Sequence, residues 1–448
     1  MSRINMLFSP TERFVHEAFT KYQKQTVPRG TTEGLGRMNL RTGRALASVA
    51  LVGSFVVAML PEAGSAGAAT KTVSASTFNT SFSTMAYLKG IVAKGKGNIA
   101  VILPDTVTSA RYTEFDAPYL KQAFKAAGLK PSQYSVQNAQ GSPTTQYTDA
   151  QAAIARGAKV LLLDPLDSTT GAVIEAYARA RGVAVIDYDR LTLGGARSYY
   201  VSFNNVTVGT LIGTGLMSCI SSWGVKNPVV FVMRGAPTDN NATLFAQGYN
   251  AVLDKNGFNT KSGSSNTILE NTGTWTPTVA LTDFQGAYTA HPSINAVVTP
   301  NDENAAPIIS YLQSKGLAPK TIPFTGQDAT LIGFQNIISG YQCGTVYKPI
   351  WLEAQAAAAL AIYLRAHVKP PKGLVNGTST DSVATINSLK HVPSVLLSPT
   401  WVTAAMVEKT VIKDKVIKAS DLCTSSAPTV QGRTEPTYAA DCKTYGIK

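Results

Sequence analysis

Polar side chains collect where the predicted strands of this sequence end. Asp105 follows an apolar run over 98–103, and Asp189 follows another over 183–188. In open parallel sheets, ligands bind at the carboxyl ends of the strands. Each Asp or Asn could instead cap the next helix, but Arg190 cannot cap a helix amino terminus. The strand-end residues are Asp105, Asp189, Arg190, Asp239, Asn240, Asn241, Asn301, Asp302, Gln327 and Asp328.

These side-chain types suit a polyol ligand. Carboxylates accept hydrogen bonds from sugar hydroxyls, Arg and Lys donate them, and Asn and Gln do both. An aromatic face can cover the apolar C–H side of a pyranose, so Tyr112 and Trp275 are candidates for stacking, with core packing as the alternative. Because carboxylates dominate the set, an anionic or phosphate ligand is disfavoured.

The sequence lacks the motifs of several enzyme classes. No P-loop or G-x-G-x-x-G motif follows a predicted strand, and neither G-x-S-x-G nor H-E-x-x-H occurs. His291, His367 and His391 stand beside no plausible nucleophile, and no Cys/His spacing indicates zinc. We therefore predict no catalytic residues, no metal and no cofactor, although the many carboxylates leave a paired-carboxylate hydrolase open.

Alternating strands and helices must position the polar set. Continuous apolar strands separated by helices are typical of a parallel sheet covered on both faces. One such series runs from 98 to 188, and a second begins near 205. The sequence therefore predicts an α/β protein with two doubly wound parallel-sheet domains. The strands of the second series are predicted at 228–233, 268–270, 296–299 and 322–325.

The composition is that of a folded protein with more than one domain. The chain has 448 residues, of which 44% are hydrophobic and 15% charged. Its net charge is +13, yet the basic residues are scattered and are not interleaved with aromatic residues. We therefore predict no binding to nucleic acid.

An export signal is predicted near the amino terminus. Three arginines between positions 37 and 44 precede an uncharged apolar segment over 45–60, and Ala66-Gly-Ala68 follows it. This order is typical of a cleaved signal peptide, and the segment is short for a membrane span; an uncleaved anchor is the alternative. Because the first cysteine is Cys219, we predict a soluble extracytoplasmic protein that is not a lipoprotein.

Four cysteines in an exported chain favour disulfides. Cys423 and Cys442 bracket a Ser/Thr/Pro-rich tail, which a bond between them would hold in place. Cys219 and Cys343 are then left for each other. The sequence alone allows three pairings of four cysteines.

Several ordered motifs resemble the ribose-type periplasmic sugar-binding proteins of ABC importers, and among them the D-xylose-binding proteins. The resemblance covers about residues 97–422 and implies a sugar site between two domains. Tyr112 departs from the pattern, which has Trp at this place. The motifs are Asp189–Leu191, Val201–Asn205, Pro237–Phe245, Asn301-Asp302, Gly326–Leu331 and Thr345–Ile350. The sugar-binding residues that the resemblance implies are Arg111, Tyr112, Asp189, Arg190, Asp239, Asn241, Trp275, Asn301, Asp328 and Lys348.

The resemblance also implies a type I periplasmic binding protein architecture with three crossovers, near 204–205, 346–347 and 398–399. A sugar that contacts both domains would favour their closed arrangement. The expected divisions are an extension with signal peptide over 1–68, a leader over 69–96, a first lobe of 97–203 plus 349–398, and a second lobe of 206–345 plus 400–448.

The implied function is not enzymatic. The chain is expected to be a monomer that captures D-xylose or a similar aldopyranose and delivers it to the permease of an ABC transporter. One alternative is a broader monosaccharide receptor for chemotaxis or sensor signalling. Another is a secreted glycosidase, which needs two carboxylates about 5–10 Å apart. A sugar-responsive transcription regulator is disfavoured, because the signal peptide stands where the DNA-binding headpiece would be.

Overall fold

The computed structural model describes residues 72–424 and 438–448. The predicted signal peptide at 1–68 therefore lies outside the described residues. In the described part of the chain, every helix is too short or too polar to cross a membrane.

A seven-stranded sheet forms the first unit of the described chain, in the order β10-β11-β5-β4-β3-β1-β2. All neighbours pair in parallel except β10 and β11, which are antiparallel. Val101 pairs with Val136 on one side and Leu162 on the other, next to the edge of the sheet. The strands are β1 (Asn98–Leu103), β2 (Tyr134–Asn138), β3 (Ala158–Leu163), β4 (Ala184–Tyr188), β5 (Tyr199–Phe203), β10 (Gly377–Thr380) and β11 (His391–Leu397).

The second unit contains smaller sheets in the described residues. A parallel sheet has the order β7-β6-β8, and β9 pairs antiparallel with β12. The strand predicted over 322–325 is reduced to a bridge between Val297 and Phe324. Pro323 lacks a backbone N–H and cannot extend the ladder. The strands are β6 (Val230–Val232), β7 (Thr267–Leu269), β8 (Ala296–Val298), β9 (Thr345–Tyr347) and β12 (Thr400–Val402).

Helices pack on the sheets, and the sequence explains several of their boundaries. Asp167 caps one helix by accepting from Thr170 N at 2.8 Å, and Gly128 ends another in the left-handed conformation. The α-helices are α1 (Lys89–Val92), α2 (Ala117–Ala127), α3 (Pro143–Ala155), α4 (Ser168–Arg179), α5 (Asn205–Ser222), α6 (Asn240–Lys255), α7 (Pro277–Ala290), α8 (Asp302–Ser314), α9 (Leu331–Ile338), α10 (Ile350–Arg365), α11 (Asn387–Lys390), α12 (Ala419–Cys423) and α13 (Tyr438–Thr444).

The chain passes between the two units after β5, after β9 and after β11. The first and third of these connections are hydrogen-bonded, because Asn204 N donates to Leu397 O at 2.9 Å. We call the unit around the seven-stranded sheet the first lobe and the other unit the second lobe. The predicted fold class, two parallel α/β domains joined by three crossovers, is confirmed.

The described part of the leader packs on the first lobe. Phe78, Phe82, Met85 and Leu88 are buried in the same apolar core as α2 and α10. Gln355 Nε2 of α10 also donates to Asn79 O at 3.0 Å. The segment from 78 to 88 is therefore held by the core of the first lobe.

Both proposed cysteine pairs are formed in the structure. Cys219 pairs with Cys343 at a Cα–Cα distance of 6.2 Å, and Cys423 pairs with Cys442 at 5.9 Å. The second bond joins α12 to α13, and Cys442 is buried in an apolar cluster of the second lobe. The carboxyl-terminal tail is thus attached to this lobe both covalently and by packing.

Candidate functional site

A cavity with an empty volume of about 300 Å³ lies between the two lobes. The structure brings all of the predicted sugar-binding residues to its wall. The lining consists of Thr108, Ser109, Arg111, Tyr112, Asp189, Arg190, Asp239, Asn241, Phe245, Trp275, Asn301, Gln327, Asp328 and Lys348.

Arg111 is the centre of a buried ion network on the first-lobe side. Its guanidinium donates to Asp116 at 2.8 and 2.9 Å, to Asp189 at 2.6 Å and to Glu353 at 2.8 Å. Burial raises the pKa of Glu353 to about 8, against the opposing effect of Arg111. Since these carboxylates use most of its donors, Arg111 chiefly positions Asp189.

Asp189 is held in a strained backbone conformation at the cavity. Its φ is 60°, in the left-handed region that non-glycine residues seldom adopt. Tyr200 Oη and Asn241 Nδ2 donate to its carbonyl oxygen at 2.9 and 3.0 Å. Burial would raise the pKa of the Asp189 carboxyl, but Arg111 and other nearby cations outweigh it and lower the pKa. The carboxylate is therefore ionised and can accept hydrogen bonds.

Arg190 connects the two lobes. Its Nε lies 3.2 Å from Asp239 Oδ2 of the second lobe and 3.7 Å from Asp164 Oδ1 of the first. Its Nη2 donates to Tyr112 Oη at 2.8 Å. Burial and the nearby Asp189 raise the pKa of Asp164 well above its usual value, while Arg190 opposes this. Sequence reasoning left Asp164 out of the site, although it also follows a predicted strand.

On the second-lobe side, Asp239 and Asn301 both cap a helix and face the cavity. Asp239 Oδ1 accepts from Asn241 N at 2.9 Å, while its Oδ2 accepts from Trp275 Nε1 at 3.1 Å. Asn301 Oδ1 accepts from Asn304 N at 3.0 Å, and its amide nitrogen takes no part in the cap. The capping and ligand-binding interpretations are thus compatible, because each side chain has two polar atoms.

Trp275 forms an aromatic corner of the cavity with Phe245. Their ring centroids are 6.4 Å apart at an interplanar angle of 74°. A Cβ at position 235 would collide with the indole, so only glycine fits there. Phe245 was not among the predicted site residues, although it ends the motif Pro237–Phe245.

Lys348 lies between acidic side chains from both lobes. Its Nζ is 3.0 Å from Asp328 Oδ1 and 3.8 Å from Asp189 Oδ1. Asp328 has a φ of 86°, so this aspartate also occupies the left-handed region. Lys348 follows β9 on one of the connections between the lobes, which explains how it reaches both acids.

Three members of the strand-end set, Asp105, Asn240 and Asp302, lie outside the cavity lining. Asp105 turns back on its own loop, where Oδ1 accepts from Val107 N at 2.8 Å and Thr108 N at 2.7 Å. Asp302 accepts from Gln342 Nε2 at 2.7 Å and Thr330 N at 2.9 Å. Burial raises the pKa of Asp302 to about 7. Asp105 and Asp302 thus hold loops at the edge of the site and do not line the cavity.

The charges that line the cavity are formally balanced. Asp189, Asp239 and Asp328 face Arg111, Arg190 and Lys348 within the lining. A neutral ligand rich in hydroxyl groups can exchange hydrogen bonds with both signs of charge. The arrangement is therefore suited to a small polyol.

Comparisons with known proteins agree with this fold and cavity. Residues 99–367 match the family model of the periplasmic binding protein domain. The D-xylose-binding periplasmic protein of Escherichia coli K12 is 35% identical over 290 residues, which cover 64% of this chain and 82% of that protein. The multiple sugar-binding periplasmic protein SbpA of Azospirillum brasilense is 29% identical over 72% of this chain and 90% of the relative.

A solved structure is similar as well. The carbohydrate transporter solute-binding protein of Chloroflexus aurantiacus, in complex with D-glucose, has a TM-score of 0.62 and 26% identity. The match covers 72% of this chain and 97% of that one. The chain therefore belongs to the periplasmic binding protein family. Its relatives place it in the ribose-type sugar-binding branch, whose members are binding proteins and not enzymes.

Proposed function

We propose that the chain captures D-xylose or a closely related aldopyranose in the cavity between its lobes. The observation that carries this proposal is the charge-balanced, buried ring of acids and bases contributed by both lobes. Asp189 from one lobe and Asp239 and Asp328 from the other can each accept from a sugar hydroxyl, while Trp275 can cover one face of the ring. The ten residues named from the sequence would form the site.

The relatives support either a narrow or a broad sugar specificity. The Escherichia coli relative is named for D-xylose, whereas the Azospirillum relative is named for multiple sugars. A broader monosaccharide receptor, which could also signal to a chemoreceptor or sensor kinase, is therefore the second candidate. Tyr112 favours a sugar specificity different from that of relatives with Trp at this place. Its hydroxyl binds Arg190 and adds a polar group to the aromatic side of the cavity.

Delivery and export complete the proposal. We infer that the protein is exported by cleavage of its signal peptide near Ala68 and acts as a monomer that hands its sugar to an ABC transporter permease. Amino-terminal sequencing of protein collected outside the cytoplasm should give a start close to Ala69. A start far from this position would contradict the export route.

A panel of monosaccharides tests the ligand. Bound sugar raises the temperature of unfolding by mass action, so D-xylose should give the largest shift among D-xylose, L-arabinose, D-ribose and D-glucose. Calorimetry should then show saturable heat with D-xylose. The Trp275→Ala variant should bind D-xylose more weakly, because the stacking contact is lost. Trp401→Ala is unsuitable as a control, because Trp401 packs on Gly215 and Gly344.

The outcomes separate the candidates. Similar shifts with several sugars would favour the broad receptor over the D-xylose-binding protein. Absence of heat with every pentose and hexose would contradict sugar binding altogether. Chromatography of the sugar after incubation should return it unchanged, and steady release of a cleaved product from a glycoside would instead indicate a hydrolase.

A further inference from the structure

Glu303 joins the two lobes directly, outside the cavity lining. It is the second residue of α8, in the second lobe, and is half-buried. Its Oε1 accepts a hydrogen bond from the backbone N–H of Ala110 at 2.9 Å and lies 3.3 Å from Ser109 Oγ. Both partners belong to the loop after β1 in the first lobe. The contact therefore joins the two lobes in their closed arrangement.

The loop that meets Glu303 is held in shape by its own lobe. Asp105 accepts from Val107 N, from Thr108 N and from Thr108 Oγ1 at 2.6–2.8 Å. Asn138 Nδ2 also donates to Asp105 O at 2.7 Å. Since the loop is ordered in advance, little conformational entropy is lost when its Ala110 N–H meets the second lobe.

Neighbouring contacts support the same closed arrangement. Ser109 Oγ donates to Asp328 Oδ2 at 2.9 Å, and Asn301 Nδ2 donates to Thr108 O at 3.2 Å. Asp328 and Asn301 also line the cavity, so their substitution would change sugar contacts as well. Glu303 is outside the lining and therefore allows closure to be tested apart from sugar binding.

We propose that Glu303 is a closure residue, which stabilises the closed arrangement of the lobes by accepting the Ala110 N–H and thereby strengthens the binding of every sugar without contacting it. The inference rests on the proposed sugar-binding function and adds a residue to it. Closure of the sugar-free protein costs the same free energy whichever sugar binds. A protein that closes more easily therefore has a lower apparent dissociation constant for every sugar, by one common factor.

The charge of Glu303 is not required for this role. Burial, together with the nearby Asp328 and Asp302, raises the pKa of Glu303 well above its usual value. Its Oε2 has no hydrogen-bond partner among the described residues. A neutral side chain of the same shape can keep the acceptor at Oε1, so Glu303→Gln should retain the contact that Glu303→Ala removes.

Calorimetry with D-xylose, D-ribose and D-glucose tests the proposal on the full mature chain. For each sugar that the wild-type protein binds, Glu303→Ala should raise Kd about tenfold, the equivalent of one hydrogen bond to a carboxyl group. The factor should be the same for each sugar, and Glu303→Gln should stay close to wild type. Glu114→Ala, which changes an exposed glutamate of the first lobe, is the matched control and should leave Kd unchanged.

Factors that differ between sugars would overturn the proposal, because they would mean that Glu303 acts on the ligand itself. An unchanged Kd in Glu303→Ala would overturn it as well. If the wild-type protein binds none of these sugars, the proposed function fails, and small-angle scattering then decides the closure role separately. In that case a larger radius of gyration for sugar-free Glu303→Ala than for wild type supports the closure role, and equal radii overturn it.

Discussion

The two sides of the cavity are positioned by different physical means. On the first-lobe side, Asp189 is held by Arg111, which is itself fixed by Asp116 and Glu353 in a buried ion network. On the second-lobe side, Asp239 and Asn301 each accept a backbone N–H at a helix amino terminus, and Asp239 also pairs with Arg190 of the first lobe.

The difference matters because buried charges depend on each other. Removing one partner of a buried ion pair leaves an uncompensated charge, which is far more costly than the loss of one cap. Substitutions on the first-lobe side should therefore reduce folding stability together with binding. Substitution of the uncharged cap Asn301 on the second-lobe side should affect binding with a smaller loss of stability.

The largest effect is expected from Arg111→Met. The change leaves Asp116, Asp189 and Glu353 without their shared cation, so the free energy of unfolding should fall by about 3–5 kcal/mol. Urea denaturation followed by circular dichroism measures it. Arg179→Met, at an exposed position of α4, is the control and should change little. A loss below about 1 kcal/mol would remove the contrast between the two sides.

Asp328→Ala should weaken sugar binding and also lower the free energy of unfolding, because the buried Lys348 loses its partner at 3.0 Å. Buried donors on the sugar and at Lys348 lose their acceptor, which should cost on the order of 2 kcal/mol or more of binding free energy. Calorimetry with D-xylose gives the value, and Asp254→Ala on the exposed surface of α6 is the control. Undiminished binding by the Asp328 variant would place the sugar away from the second-lobe side.

The pH dependence of stability should carry a contribution from Asp302. Its folded pKa of about 7 lies above the value near 4 expected in the unfolded chain, so the folded state holds a proton that unfolding releases. Its contribution to stability is therefore complete below about pH 4 and is lost as pH rises toward 7, by at most about 1.4 kcal/mol per pH unit. Urea denaturation between pH 5 and pH 7 should show a shallower decline in Asp302→Asn than in wild type. Equal slopes would mean that Asp302 is ionised in both states.

The smallest effect is expected from the cap at Asn301. Asn301→Ala should lower the free energy of unfolding by about 1 kcal/mol, and Asn301→Ser should restore most of it because serine is also a good cap. Thermal unfolding of both variants checks this. Neither variant keeps the amide nitrogen, so both should bind D-xylose more weakly. Equal stability of the alanine and wild-type proteins would show that the cap contributes little to positioning this side.

The alternation of strands and helices could be predicted where apolar runs were continuous, as in β1 and β3. The prediction of strands failed where the sequence pattern was polar or short. β10, Gly377-Thr-Ser-Thr380, alternates between half-buried and exposed residues and pairs at the sheet edge, so it lacks an apolar signal. The predicted strand over 322–325 contains Pro323, and its pairing depends on where β8 lies in space.

The residue types of the site could be predicted from the sequence, because the strand-end motifs and the resemblance together named eleven of the fourteen residues that line the cavity. The role of each residue there depends on contacts that form only when the chain is folded. Asp189 and Glu353, two of the three carboxylates that occupy Arg111, are distant from it in sequence. Asp105 binds its own loop, whereas Asp302 binds Thr330 and Gln342. The tertiary structure also brings Glu303 to Ala110, 193 positions apart. Such pairings depend on the relative placement of two lobes, which local spacing does not encode.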